Sequence, residues 1–457
     1  MSQTNVLTPT SAENHLTTLL AEPLLTGPPL ASSPLAWLNM RCQDAIEHVG
    51  VLALPTTRDE EWRFTDIAPL TKMAFARALS ATPLETADVA HFFIEEATRR
   101  LVFVDGLYAP QLSTGTPGAG ADSGMLVGNL KSSLQEMSAA QAARIEAHLG
   151  RHAAFHNDAF TAQNTACLDD VAVVVVPRDV AVAAPVQLLF IATQKEVLST
   201  PRCLVIAELG SSVTLLEDYV QWHPPGWQEE AHFTNAVSEI VLADNARVNH
   251  VRVQREDSNA FHIATGAVSL GRDSNYQSVT VALGARISRY NLNVVQQAEG
   301  ATCALDGLTL ISGRQLADTH TSIDHAKPRG LSQQLHKCIV GGSAHAVFNG
   351  KVIVREGAHK TDAQQSNRNL LLTAKAQVDT KPQLEIFASD VKCTHGATVG
   401  QLDSEEVFYL QSRGLTEAAA RNLLTYAVGA EVIDRIPIES LWRQLEQTVF
   451  EQTTSLL

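Results

Sequence analysis

Asp390-Val391-Lys392-Cys393-Thr394-His395-Gly396-Ala397-Thr398-Val399-Gly400 sets a thiol and an imidazole two residues apart, just before a glycine. In a strand, residues i and i+2 face the same side, so Cys393 and His395 project together, a soft sulfur beside a borderline nitrogen. That is half a coordination site for iron or zinc. Taken alone, a free cysteine is most often a small buried hydrophobe and a lone histidine a hydrogen-bonded core residue. The surroundings change the weighing. Six of the 16 histidines (His320, His325, His336, His345, His359, His395) and two of the six cysteines (Cys338, Cys393) fall between residues 320 and 395.

Upstream of this stretch, from Asp170 onward, the chain reads as short β-branched runs separated by turns: residues 171–176, 204–207, 248–253 with its clean alternation, Val352-Ile353-Val354 and Leu384-Glu385-Ile386. Small residues recur at the breaks, at Gly210-Ser211, Asn245-Ala246, Gly284-Ala285, Gly300-Ala301 and Gly357-Ala358. Such a rhythm suits a coiled β architecture whose turns tighten at residues tolerant of unusual backbone angles. Because the spacing is irregular, periodicity by itself also permits a β-sandwich. From residue 14 to about 164 the pattern is mostly helical, with apolar residues three and four apart over Ala36–Val49 and 130–148. It is broken at Gly27-Pro28-Pro29 and Thr116-Pro117-Gly118, and interrupted by a strand-like Leu101-Val102-Phe103-Val104 that ends at Asp105-Gly106.

Downstream, Asp403 is placed to cap a helix with Glu406 three residues on, and Gly414 to close it. Thr416 opens a longer segment in which Ala420, Leu423, Leu424, Ala427 and Val428 make one apolar face, extended by Ile433 and Ile436 to Pro437. The expectation is a helical hairpin whose stripe packs onto the end of the β unit.

A net charge of -15 argues against phosphate-backbone binding, so nucleic acid is not an expected partner. Six cysteines without a CxxC pair suit a reducing compartment. Neither a basic n-region followed by an apolar core nor a 20-residue apolar run is present, so the expectation is a cytoplasmic protein without membrane partners. Asn349-Gly350-Lys351 lacks the upstream glycine and following Ser or Thr of a phosphate loop, and HExxH, GxSxG and GxGxxG are all missing. His320 and His325, five apart, should face opposite sides of a strand, with a structural or surface role for at least one. Asp318 and Asp324 read as parts of a solvated turn, and Trp62 with Arg63 as a packing anchor carrying a stacked guanidinium.

The ordered set of Phe348-Asn349-Gly350, Asp362-Ala363-Gln364-Gln365-Ser366-Asn367-Arg368-Asn369-Leu370-Leu371-Leu372, Lys381-Pro382-Gln383-Leu384-Glu385-Ile386, Cys393-Thr394-His395-Gly396-Ala397 and Phe408-Tyr409-Leu410-Gln411-Ser412-Arg413-Gly414 resembles the C-terminal half of the SufB/SufD scaffold family of iron-sulfur cluster assembly. Further matches stand at Glu61-Trp62-Arg63-Phe64-Thr65, Val104-Asp105-Gly106-Leu107-Tyr108 and Phe160-Thr161-Ala162-Gln163-Asn164-Thr165-Ala166. The B type typically reads Cys-Glu-His-Glu-Ala where this chain has Cys-Thr-His-Gly-Ala, which points to the D type.

The resemblance implies a mainly β fold, a right-handed parallel β-helix over 166–395 flanked by helical regions at 1–165 and 396–457. It implies a non-catalytic scaffold subunit paired with a B-type homologue and with SufC, an ABC-type ATPase to which ATP hydrolysis would fall. A transient iron-sulfur cluster would form at the subunit interface, with His395 and Cys393 as the metal-site residues. Phe408, Leu423, Leu424, Ala427 and Val428 would bind the ATPase. A flavin has been proposed for such complexes, and nothing in this sequence supports one. A homodimer when alone is a further possibility. The competing reading is a β-helix carbohydrate-active enzyme, which needs paired carboxylates or calcium ligands along one groove.

Overall fold

The computed structural model describes residues 36–114, 124–133, 137–224, 226 and 230–456. The expected breaks at Gly27-Pro28-Pro29 and Thr116-Pro117-Gly118 lie outside the described residues. The core is a parallel β-helix in which each coil gives one strand to each of two sheets. Phe233–Leu242, Phe261–Leu270, Ile287–Gln296, Leu316–His325, His345–Val354 and Gln377–Ile386 stack in parallel in the first sheet. Arg247–Arg255, Asn275–Ala282, Thr302–Ile311, Leu331–Val340, Asp362–Leu371 and Lys392–Gly400 stack in the second.

One corner of every coil is turned by a residue in the left-handed region: Asp179, Gly210, Asn245, Asp273, Gly300, Arg329, Lys360 and Asp390 all have φ between 51° and 74°. Each from Asn245 to Lys360 donates its N–H to the carbonyl of the next coil's corner, as Asp273 does to Glu299 and Lys360 to Asp390. The recurrence is about 30 residues, one supersecondary unit per coil. Several of these residues are not glycine, which is why the period was hard to see.

The two ends differ. At the start, Leu126–Asn129 runs antiparallel to Ala172–Val176 and closes the first sheet, and Leu107–Tyr108 runs antiparallel to Arg99–Val104 at the edge of the second. At the finish, Gln377–Ile386 and Lys392–Gly400 are edge strands. Helix α1 (Ala36–Val49), the helix expected over those residues, packs on α3 (Ala159–Ala166). The 130–148 pattern resolves into a short turn and α2 (Ala139–His148), capped by Ser138. Helix α3 lies on the outside of the first sheet, where Asn164 Nδ2 donates to the carbonyls of Pro201 and Asn235 at 3.0 and 2.8 Å. Beneath it Arg202 and Glu239 pair at 2.8 Å with both side chains fully buried. Glu239 also accepts from the N–H groups of Gly150, His152 and Ala153, the hydrogen-bonded surroundings that a buried carboxylate requires.

Three helices follow the last strand: α4 (Ser404–Ser412), α5 (Glu417–Ile433) and α6 (Glu439–Leu456). Asp403 caps α4 through the Glu405 N–H at 2.8 Å, Gly414 closes it at φ 99°, and Thr416 caps α5. The expected apolar face of α5 packs only at its two ends, Ala420 and the Ile433 and Ile436 extension. Ala420 is buried, but Leu423 and Ala427 are exposed and Leu424 and Val428 half-buried. The packed stripe is Asn422, Thr425, Gly429 and Val432, because small residues let α5 approach α6 and the sheet. A Cβ on Gly429 would already lie 3.3 Å from Val449 and 3.4 Å from Leu308. The helices cover the outer face of the second sheet, not its end: Val432, Ile436, Leu441, Leu445 and Val449 cluster with Val251, Val279, Leu308, Ile339 and Leu370. Each such fully buried side chain contributes about 1.5–3 kcal/mol. Among the described residues no helix is long and apolar enough to cross a membrane.

Candidate functional site at the open end of the β-helix

Register places Cys393 and His395 on the lumen side of the last strand. The column running through Val248, Tyr276, Cys303, Ser332 and Ala363 ends at Cys393. Its neighbour, through Leu305, Gln334 and Gln365, ends at His395. With no coil beyond them, groups that would otherwise be interior reach the surface.

The two residues differ in exposure. Cys393 is half-buried among Val352, Val354, Ala358 and Ala363. Burial pushes its thiol pKa up, and the Asp362 carboxylate adds to the rise, so the free residue is a thiol more than a thiolate. His395 is exposed. Below it the Gln365 amide donates to Gln334 Oε1 at 2.7 Å, while Gln365 Oε1 is buried without a hydrogen-bond partner. Gly350 makes room for that amide from the facing sheet, since a Cβ there would collide with Gln365 Nε2. Around the opening Ile386, Phe387 and Val399 are 43, 61 and 49 % exposed, an apolar rim on two unpaired strand edges.

The other histidines of residues 320–395 do not converge here. His325 faces the lumen and meets Ser332 Oγ at 2.9 Å, its pKa lowered by burial to about 4. His336 stacks on Phe348 with centroids 4.7 Å apart, and burial lowers it to about 3. His345 pairs with Asp379 at 2.7 Å, and His359 Nδ1 lies 2.9 Å from the Ser389 carbonyl. Cys338 is buried and its thiol is pushed up to about 12. His320 faces outward between Glu61 and Asp318, on the opposite side from His325, as the five-residue spacing requires.

Two expectations need correction. Asp318 and Asp324 lie in the strand Leu316–His325, not in a solvated turn. Asp318 is buried against Arg289 and Thr65, and Asp324 chelates Arg355, so neither carboxylate is available as a free acid-base group. The guanidinium over Trp62 belongs to Arg289, 3.8 Å from the ring centroid, while Arg63 lies over Phe64. The sheet delivers Arg289 to that ring, and adjacency in sequence could not show it.

Sequence reasoning also missed a buried polar network in the middle of the lumen. Glu217 meets His250 at 3.2 Å, and Glu256 meets His232 and His262 at 3.2 and 2.7 Å. Arg252 lies over the Tyr219 and Tyr290 rings at 4.7 and 4.3 Å. Burial opposes ionisation of Glu217, yet His250 and Arg252 hold its pKa down to about 2. The available signal was the alternation of residues 248–253, whose polar members His250 and Arg252 point inward.

Comparison with known proteins agrees with this architecture. Residues 190–428 match the family model for the SufBD core domain of SUF system FeS cluster assembly, and residues 29–188 match the SufBD protein N-terminal region. The chain is 41 % identical to an iron-sulfur cluster assembly SufBD family protein of Synechocystis over 416 residues, 89 % of each chain. It is 33 % identical to the iron-sulfur cluster assembly protein SufD of Escherichia coli over 413 residues, 89 % of this chain and 91 % of that one. It is 31 % identical to the SufD protein of Bacillus subtilis over 294 residues, 63 % of this chain and 65 % of that one.

Proposed function

This chain belongs to the SufBD family of the SUF iron-sulfur cluster assembly system, and from that premise we propose that it is the D-type scaffold subunit, non-catalytic in itself. The observation that carries the reading is an exposed imidazole beside a half-buried thiol on the last strand of a β-helix whose other coils are closed. A B-type homologue adds its own strands to the open edges and covers the apolar rim. The cluster is the cargo of that interface. His395 presents its imidazole in the open, whereas Cys393 is half-buried and its thiol is pushed up, so the histidine is the primary ligand and the cysteine secondary. Ligands shared between two chains leave the cluster releasable, where four from one chain would retain it. An ABC-type ATPase of the SufC kind docks on the side of α4 and α5 that the β-helix does not cover, where Phe408 is 71 % and Leu423 42 % exposed, with Leu424, Ala427 and Val428 alongside. The cytoplasm, with its reduced thiols, is the compartment that suits six free cysteines.

The test is reconstitution with the B-type partner and the ATPase, following cluster absorbance beside the melting temperature of each variant. His395→Ala should abolish most of the cluster signal and Cys393→Ala lower it less, both with unchanged melting and assembly. A normal cluster yield in His395→Ala, or a yield that falls only in step with melting temperature, defeats the site assignment.

A further inference from the structure

We propose that Asp44, His48 and His156 form a binding site for a divalent first-row transition metal, separate from the open end of the β-helix. Their ligand atoms, one from each residue, all lie within 4.8 Å of one another. Asp44 and His48 stand one turn apart on α1 and therefore share a face. His156 comes from the segment between α2 and α3. The Asp44 carboxylate sits between the two rings, Oδ1 3.2 Å from His48 Nδ1 and Oδ2 3.7 Å from His156 Nε2.

The rings are held in place before any ion arrives. Phe155 is buried under α1 and α3 with Ala45, Val49, Ala162 and Ala166, which pins the segment carrying His156. Its ring stacks on His156 at 4.4 Å and meets His48 edge-on at 5.6 Å. The two imidazoles stand nearly perpendicular, 4.7 Å apart. The Asp44 backbone carbonyl also lies 2.8 Å from His48 Nδ1 and holds that ring in place in the absence of an ion.

Two nitrogens and one carboxylate oxygen suit zinc, cobalt, nickel or ferrous iron better than magnesium or calcium, which take oxygen ligands. All three side chains are partly exposed, at 32, 48 and 57 % for His48, Asp44 and His156, so solvent or a second ligand completes the coordination and the ion can exchange. A net charge of -15 favours cation binding generally. The competing account is a carboxylate that only ion-pairs with two protonated imidazoles. The two accounts part with pH: ion pairing weakens as the imidazoles lose protons, and metal binding strengthens.

Cobalt(II), whose visible absorption shifts and intensifies when protein ligands replace water and lower its coordination number, is the probe. It is titrated into the full chain carrying Cys393→Ala and His395→Ala, so that the open end makes no contribution and a failure there does not affect the result. One cobalt per chain is expected, bound more tightly at pH 7.5 than at pH 6. His48→Gln, His156→Gln and Asp44→Asn should each weaken it about tenfold or more, with circular dichroism unchanged. Absence of the visible band in the parent chain overturns the proposal. So does a band of unchanged strength in all three variants.

Discussion

The β-helix begins closed and finishes open, and the two ends show what each state requires of the sequence. At the closed end antiparallel strands complete the sheet edges, α1 and α3 lie over the outside, and the fully buried Arg202–Glu239 pair has its hydrogen bonds supplied by the segment after α2. At the open end the same lumen-facing columns run out into solvent as Cys393 and His395, behind an apolar rim. Burial makes charge costly to leave unpaired at the first end. Exposure makes residues replaceable for stability at the second, and so available for function.

The largest expected effect lies at the closed end. Arg202→Ala leaves the Glu239 carboxylate buried without its cation and should cost about 3–5 kcal/mol in urea unfolding. A loss near that of a surface substitution would mean that this end is not anchored by the pair. Closer to the open end, His336 is neutral in the folded chain, its pKa lowered by burial to about 3 from 6.5. The unfolded chain therefore takes up the proton first. Its contribution is complete above pH 6.5 and is lost as pH falls toward 3, the loss having reached roughly 2 kcal/mol by pH 5. His336→Gln should flatten the loss of stability between pH 7.5 and pH 5 relative to the parent chain, and an identical pH dependence in both would contradict a buried neutral imidazole. The smallest effect on stability belongs to the rim. Val399→Lys should change the unfolding free energy by no more than about 0.5 kcal/mol while abolishing association with a B-type partner in size-exclusion chromatography. Intact association would move the interface away from the open edge.

Local features were legible because their causes are local. Ala36–Val49 forms the expected helix, and Cys393 and His395 share a face because a strand alternates. The turns at Gly210, Asn245, Gly300 and Gly357 do sit at positive φ. The full coil period was not legible, because Arg329 and Lys360 hold the same corner conformation with no compositional mark. Nor was the sidedness of the alternation. In Val248-Asn249-His250-Val251-Arg252-Val253 the apolar half formed by Val251 and Val253 lies outside, under the C-terminal helices, while His250 and Arg252 face the lumen. Alternation reports two environments without saying which is inside. The middle of the stripe on α5 fails for a related reason: Leu423 and Ala427 face away there, and Thr425 and Gly429 make the contact.

The position of α5 and α6 has a consequence for the order in which the molecule is made. Successive strands of a sheet join residues about 30 apart, so each coil can form on the one before it as the chain leaves the ribosome, starting from the closed end. The last strand, Lys392–Gly400, is added with a template behind it and none ahead. Only then do α5 and α6 emerge, and they fold back over coils made much earlier, against Val251, Val279 and Leu308. Until those helices emerge, that outer apolar face lacks their cover. Premature termination between residue 400 and the start of α5 therefore leaves a chain with a complete β-helix and an exposed flank, a species for chaperones and proteases to intercept before it can enter a complex.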